Sequence, residues 1–395
     1  MDLLKILLIF TILTVPTGEI LRVNPIRDLG INLIDISLTL TAAYGLLYLV
    51  KSKLLNLKYE KYLFVFLSVG ILSLLFNTRS YSSDQISISL LYPIRFLFLV
   101  LLIPIIRIQN ENFKKLIKNL LLLDGLMIIG IGLIQFFFYP GLRNLYYLGW
   151  DEHLFRLFST FLDPNFTGVF LVLFIIFLIW QSYPFFRKRS KETLFYTVTI
   201  ILSAVSLVLT YSRQALISFS VVSLLFVAIN KKKMYIWVLL SLLLLIVAFQ
   251  LTTVRSEGTN LFRTASIMSR IGSSSSAVNI IREHPLFGVG FNSYRYVLES
   301  KSSQKQKNNY PSHTSAPDNS FLFVLATTGI VGFIFYTTFW YKLISKRFKV
   351  LKLPENQIIL GCVLALFIGS FFVNALFYTP IMVWFFTLLG VTENS

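Results

Sequence analysis

The sequence predicts an all-α polytopic membrane protein of about twelve transmembrane helices, with one large extracytoplasmic loop carrying short helices. Three observations predict it. Hydrophobic residues make up 55% of the 395, aromatic residues 16%, and mean hydropathy is +0.72, which leaves too little polar surface for a soluble domain. The apolar residues fall in runs close to the ~20 residues that cross a bilayer as a helix. Basic residues concentrate in every second connection between those runs.

Twelve runs fit, at 3–16, 31–50, 62–76, 86–106, 117–139, 166–183, 194–211, 214–229, 234–252, 320–340, 357–374 and 376–392. Several are short of the template by a few residues, so eleven is the alternative count. The first run reads as a retained span. Asp2 stands beside a single Lys5, and Val15-Pro16-Thr17-Gly18 lacks a small-x-small cleavage site.

Five alternate connections hold twenty Lys and Arg residues: 51–61, 107–118, 184–192, 230–233 and 341–352. The intervening short ones hold only Arg22, Arg27, Arg79, Arg143, Arg156 and Arg213. This contrast orients both termini toward the cytoplasm and residues 253–319 away from it. That long loop carries eight further basic residues, but loops of such length cross largely regardless of charge. The net charge of +18 therefore reads as membrane orientation, with no nucleic-acid partner. Residues 1–395 form a single membrane domain, with the expected catalytic elements in 253–319.

Cys362 is the lone cysteine, so an intrachain disulfide is impossible. His153, His284 and His313 are too scattered to offer a metal-ligand spacing, and neither metal nor cofactor is expected.

Four polar features face the extracytoplasmic side. Arg156 to Asn165 ends in Asp163-Pro164-Asn165, an ordinary cap-and-turn signal in which Asn165 can cap and Pro164 blocks continuation. Tyr211-Ser212-Arg213 sits at a tight turn between two spans. Its guanidinium either snorkels or, held at the membrane surface, takes a lipid-linked phosphate in a forked geometry. Ala277, Val278, Ile280 and Ile281 predict an amphipathic surface helix that Pro285 ends. Arg270 stands at its start and Arg282 one turn before its end as anion contacts, while Ser273 to Ser276 reads as a short polar turn or helix start. His284 reads as structural, and Gly288 and Gly290 as permitting a tight turn. Pro317-Asp318-Asn319 opens a span, so either Asp318 or Asn319 is an N-cap, with a carboxylate role for Asp318 as the alternative. Within the spans, Asp35 and Arg95 lie at similar depth and pair as a structural ion pair, whereas Asp124 lies nearer the other face.

In order and spacing, these features resemble the O-antigen ligase and polysaccharide polymerase family of bacterial membrane glycosyltransferases. Arg156, Ser159-Thr160-Phe161 and Pro164-Asn165 are similar to its Arg, Gly/Ser-Thr-Phe and Pro-Asn. Ser212-Arg213 is similar to its hairpin Ser-Arg, and Arg270 precedes His284-Pro285-Leu286-Phe287-Gly288-Val289-Gly290 by fourteen residues, as the family's Arg precedes His-Pro-Leu-x-Gly-x-Gly. Asp318-Asn319 and Gly329-Ile330-Val331-Gly332 resemble its last pair of motifs, a His-Asn that opens a span and the Gly-Ile/Leu-x-Gly that ends it. The resemblance covers roughly 150–335 and includes the twelve-span topology. Two positions depart from it: the Trp after the second Arg is Ser274, and the ligases' His, their proposed base, is Asp318.

The resemblance implies glycosyl transfer from an undecaprenyl-pyrophosphate-linked glycan, without a cofactor or metal, on the outer face of the bacterial cytoplasmic (inner) membrane. The partners implied are the lipid-linked donor, a glycan acceptor, the lipid bilayer, a flippase and a chain-length regulator. Arg213 and Arg270 would stabilise the pyrophosphate. Asp318 would orient or deprotonate the acceptor hydroxyl, or His313 would supply the imidazole. Arg156, Arg282, Asn165 and Asn319 would complete substrate binding. Polymerase-like relatives carry Asp-Asn at the fourth motif, which favours a polymerase. The alternatives are an O-antigen ligase, acting on a lipid A core or a protein, and a polysaccharide flippase, which needs a mid-membrane polar path for which this chain has few residues. An aspartate of ordinary pKa, near 4, lowered further by adjacent arginines, would be a weak base for an alcohol.

Overall fold

A computed structural model describes the chain except residues 1, 27–28, 149, 186–189, 230–239, 242, 245–246, 249–255, 304–315 and 394–395. Its described residues are mostly helical. Helix α1 (Leu3–Leu13) leads to a two-stranded antiparallel hairpin, β1 (Val23–Ile26) and β2 (Leu29–Ile31), which the all-α expectation omitted. Helices α2 (Leu33–Lys51), α3 (Lys61–Phe76), α4 (Ser83–Arg107) and α5 (Glu111–Phe138) follow. Then come α6 (Pro164–Ser182), α7 (Lys191–Leu209) and α8 (Arg213–Ile229). Two helices stand between the remaining apolar elements, α9 (Ala265–Glu283) and α10 (Tyr294–Ser303). The chain closes with α11 (Ser320–Phe348), α12 (Pro354–Ser370) and α13 (Thr379–Val391).

Eleven of the twelve expected runs appear as apolar helices, six of them with at least 18 residues; the expected run 234–252 lies mostly outside the described residues. Two helices outrun their apolar stretch: α5 starts at Glu111 rather than 117, and α11 continues to Phe348 rather than 340. In α5, Asn110 Oδ1 accepts the Phe113 N–H at 2.9 Å, which moves the start upstream. In α11, Lys346 and Arg347 are good helix formers and favour the negative end of the helix dipole.

Burial separates a central helix from lipid-facing ones. Phe170, Phe174 and Phe177 of α6 are fully buried and stack along the helix, with Trp384 of α13 set edge-on at 5.5 Å from both Phe170 and Phe177. A helix apolar on every side belongs inside the bundle. On α2, α7 and α8, by contrast, Leu40, Ile201 and Leu224 remain more than half exposed, as residues facing hydrocarbon do.

The two ends of the bundle differ in chemistry. At one end, Glu393 accepts from Arg107 Nε at 2.7 Å, Lys346 Nζ at 3.0 Å and Arg347 Nη2 at 3.3 Å, and Arg107 also pairs with Glu60. This network joins the ends of α4, α11 and α13 to the start of α3, as alternating spans require. Asp35 and Arg95 pair as expected, at 3.0 Å, with Arg95 also donating to Gly30 O. Asp35 belongs as well to a capping box with the Asn32 N–H at 2.9 Å, so its role is structural.

At the opposite end, the segment after α9 returns into the bundle. The Val289 and Gly290 N–H groups donate to Ala326 O and Thr327 O at 3.0 Å each, and the Ile330 N–H donates to Pro285 O at 2.9 Å. The Phe291 N–H reaches Gly70 O in the middle of α3 at 3.3 Å, and Tyr81 Oη donates to Val289 O at 2.6 Å. Gly329 breaks α11 at φ +62°, and a Cβ there would sit 2.2 Å from Leu286 O. Non-helical backbone is tolerated at membrane depth only when buried in protein, and this seam satisfies its polar groups internally. The two glycine motifs are thus the two sides of one seam. This revises the expectation of a simple turn at Gly288 and Gly290, and of a span ending at Gly329 to Gly332.

Candidate functional site

Arg213 owes its position to a clamp on the α7–α8 hairpin. Arg156 is buried and donates from Nε to Thr210 O at 2.9 Å and from Nη2 to Tyr211 O and Asn165 Oδ1 at 3.5 Å. Ser212 Oγ donates to the same Asn165 oxygen at 3.3 Å. Asp163, rather than Asn165, caps α6: its Oδ1 accepts the Asn165 N–H at 2.6 Å. The reason is Pro164, whose missing N–H suits the first helical position and places the cap one residue earlier. Arg156 and Asn165, expected to bind substrate, hold the turn that carries Arg213.

The Ser159-Thr160-Phe161 motif has a similar structural use. Gln135 of α5 accepts the Phe158 and Ser159 N–H groups at 2.9 and 3.2 Å, and Thr160 O accepts the Glu19 N–H at 2.8 Å.

Arg213 spends part of its guanidinium on the following segment. Nη1 donates to Leu261 O and Arg263 O at 3.1 and 3.2 Å, and Nη2 to Ser266 Oγ at 2.6 Å. Of its five N–H donors, Nε–H and one Nη2–H are left without an acceptor among the described residues. Arg263 braces the same segment, donating to Gly258 O at 2.7 Å and Asn260 O at 3.1 Å.

Arg270 lies in the second turn of α9, not at its start, because the helix begins at Ala265 and runs unbroken through Ser273 to Ser276. Serines are poor helix formers. Here tertiary contacts hold them: Ala277 and Ile280 pack against Val289, Tyr294 and Ala326, and Ser273 Oγ accepts the Asp318 N–H at 3.2 Å. The Arg270 guanidinium lies over the Phe372 ring at 5.7 Å and has no hydrogen-bond acceptor among the described residues.

Arg213, Arg270 and Arg282 line one cavity of about 710 Å³, between the start of α8, the length of α9 and the end of α12. Its other wall is apolar, with Ile217, Ile267, Ile271, Val278, Phe371 and Phe372. Arginines at positions 213, 263 and 270 repel one another across the site. Burial, then Arg213 and Arg270, bring the Arg263 guanidinium down to about 10, still cationic at neutral pH. Burial and Arg263 press Arg156 down in the same sense, to about 9. Arg263 drew no attention in the sequence because it belongs to no motif; only the fold brings it beside Arg213.

Asp318 stands beside the cavity rather than in its wall. Burial raises its carboxyl above the ordinary value, the opposing pull of Arg270 is weaker, and Asp163 and Asp151 raise it further. The expected lowering by an arginine is present at Arg270 but outweighed by burial. Asn319, not Asp318, caps α11: its Oδ1 accepts the Phe321 and Leu322 N–H groups at 2.9 and 3.1 Å. That leaves the Asp318 carboxylate free of capping duty. His313 lies outside the described residues.

No curated protein matches the chain. Residues 198–337, which contain Arg213, Arg270, Asp318 and both glycine motifs, match the family model described as O-antigen ligase.

Proposed function

We propose that the chain is a polysaccharide polymerase of the bacterial cytoplasmic membrane, joining oligosaccharide repeat units carried on undecaprenyl pyrophosphate. The observation that carries this reading is the two-sided cavity. Arginines with unspent donors line it together with an apolar wall, which is the chemistry of a lipid-linked pyrophosphate. The family region covers both cavity arginines assigned to the leaving group. Arg107, Lys346 and Arg347, from two of the basic connections, gather at the other end of the bundle, which supports an outward-facing cavity.

In the proposed step, an acceptor hydroxyl attacks the anomeric carbon of the donor glycan. The new glycosidic C–O bond forms as the C–O bond to pyrophosphate breaks, and the bonding pair leaves with the pyrophosphate. Arg213 and Arg270 stabilise the charge that collects there, in a site partly shielded from water. Asp318 accepts the hydroxyl proton late in the step, a task its raised pKa suits better than that of an ordinary aspartate. Polymerase is favoured over ligase by Asp318-Asn319 standing where the ligases carry His-Asn. Ligase activity, transferring finished polymer to a lipid A core or a protein, is the second reading, and the family's own description favours it.

The test is direct. Purified protein with the lipid-linked repeat unit should give a ladder of products if it polymerises, and a single product on an added acceptor if it ligates. Full polymer formation by Asp318→Asn would exclude the base role.

A further inference from the structure

Of the polar lining residues with no part in the step above, Gln214, Ser274, Ser275, Asn279 and Arg282, only Gln214 is buried. Gln214 follows Arg213 in the first turn of α8, is only 2% exposed, and lines the cavity beside Arg213 and Arg270. Neither its Nε2 nor its Oε1 has a hydrogen-bond partner among the described residues. Neighbouring buried hydroxyls are paired: Ser212 Oγ with Asn165, and Ser218 Oγ with Ala365 O at 3.2 Å. Buried amides are ordinarily paired too, because an unpaired group loses its hydration with no return.

The chemistry of the amide narrows what would pair with it. A carboxamide is both donor and acceptor, whereas phosphate oxygens only accept and guanidinium only donates. A bare pyrophosphate would satisfy Nε2 and leave Oε1 alone. A glycosyl pyrophosphate satisfies both, with a phosphate oxygen accepting from Nε2 and a hydroxyl or acetamido N–H beside the anomeric carbon donating to Oε1.

We infer that Gln214 is a specificity-determining residue that reads the first sugar on the polyprenyl pyrophosphate. The site thereby favours the sugar-bearing carrier over the bare carrier that transfer releases. The inference rests on the glycosyl-transfer reading and adds to it a means of separating substrate from product. Arg213 and Arg270 hold the charge common to both lipids; Gln214 responds to the group that only the substrate carries.

The experiment uses the full chain in lipid nanodiscs. Affinities are measured for undecaprenyl pyrophosphate and for the same lipid carrying a single N-acetylglucosamine. The wild type should bind the sugar-bearing lipid more tightly by about tenfold, the scale of a buried hydrogen-bonded pair. Gln214→Leu, similar in bulk, should erase that preference by weakening only the sugar-bearing lipid. Arg213→Gln should weaken both. A preference that survives Gln214→Leu, or an equal loss for both lipids, overturns the inference while leaving the glycosyl-transfer reading intact. Binding of neither lipid by the wild type overturns both. If Gln214→Leu does not fold, Gln214→Met is held to the same outcomes.

Discussion

Arg213 Nη2 donates to Ser266 Oγ at 2.6 Å, tying the start of α8 to the start of a helix 53 residues further along the chain. The bond makes the position of α9, and so of Arg270, depend on Arg213. An arginine at this turn thus both builds the cavity and lines it.

Arg213→Lys should therefore fail although it keeps the charge. An ammonium cannot reach two carbonyls and a hydroxyl while offering a fork to phosphate. We expect kcat to fall by about 100-fold or more, the range for losing a preorganised donor to a developing anion. Ser266→Ala removes one charge-assisted bond and should cost about tenfold. Initial rates of polymer formation with purified protein check both.

On the proposed mechanism, Arg270 should also set the acid limit of the reaction. The Asp318 carboxyl is raised by burial and held back by Arg270, and it must be ionised to accept a proton. Activity should therefore fall as pH drops through a value above the ordinary carboxylate range. Arg270→Gln removes the restraint, so the acid limb of its residual activity should move to higher pH. A limb that stays put or moves down would separate the two residues.

Gly329→Ala should damage the fold rather than the chemistry. At φ +62° its Cβ would lie 2.2 Å from Leu286 O, so the seam must open. The cost is of order 1–3 kcal/mol for the conformation alone, before the clash. Thermal unfolding in detergent should drop by several degrees, while Ala substitution at Gly272, which has open space around it, should leave it unchanged.

The far end of the bundle gives an independent stability test. Glu393 is desolvated by burial, yet Arg107, Tyr59 and Lys346 outweigh that and hold its carboxyl below the ordinary value. A lowered folded pKa gives stability present above the unfolded value and lost as pH falls through the folded one. Glu393→Gln should cost about 3–5 kcal/mol, as expected for stranding buried cations, and should flatten the acid side of the stability profile.

Much of this architecture was legible as sequence. Apolar runs located eleven described helices, because a span must be both long and apolar, and the Asp35–Arg95 pair followed from depth alone. Helix ends were less legible: Asp163 and Asn319 both compete with a neighbour that caps equally well. The site was visible only where a motif marked it, as at Arg213 and Arg270. Arg263 and Gln135 matter through contacts made across the fold, and Gln214 through its place in the cavity wall, neither of which a local pattern encodes. The glycine motifs were read as turns because a seam between residues 285–290 and 326–331 needs both strands of backbone in view.

The central claim is that Arg213 and Arg270 hold a lipid-linked pyrophosphate while a glycan is transferred from it. The most direct measurement is product formation from the lipid-linked repeat unit by purified wild type, Arg213→Gln and Arg270→Gln, each shown to be folded by its thermal unfolding. The account predicts glycan transfer by the wild type and a loss of about 100-fold or more in each variant. Undiminished transfer by either folded variant would contradict it.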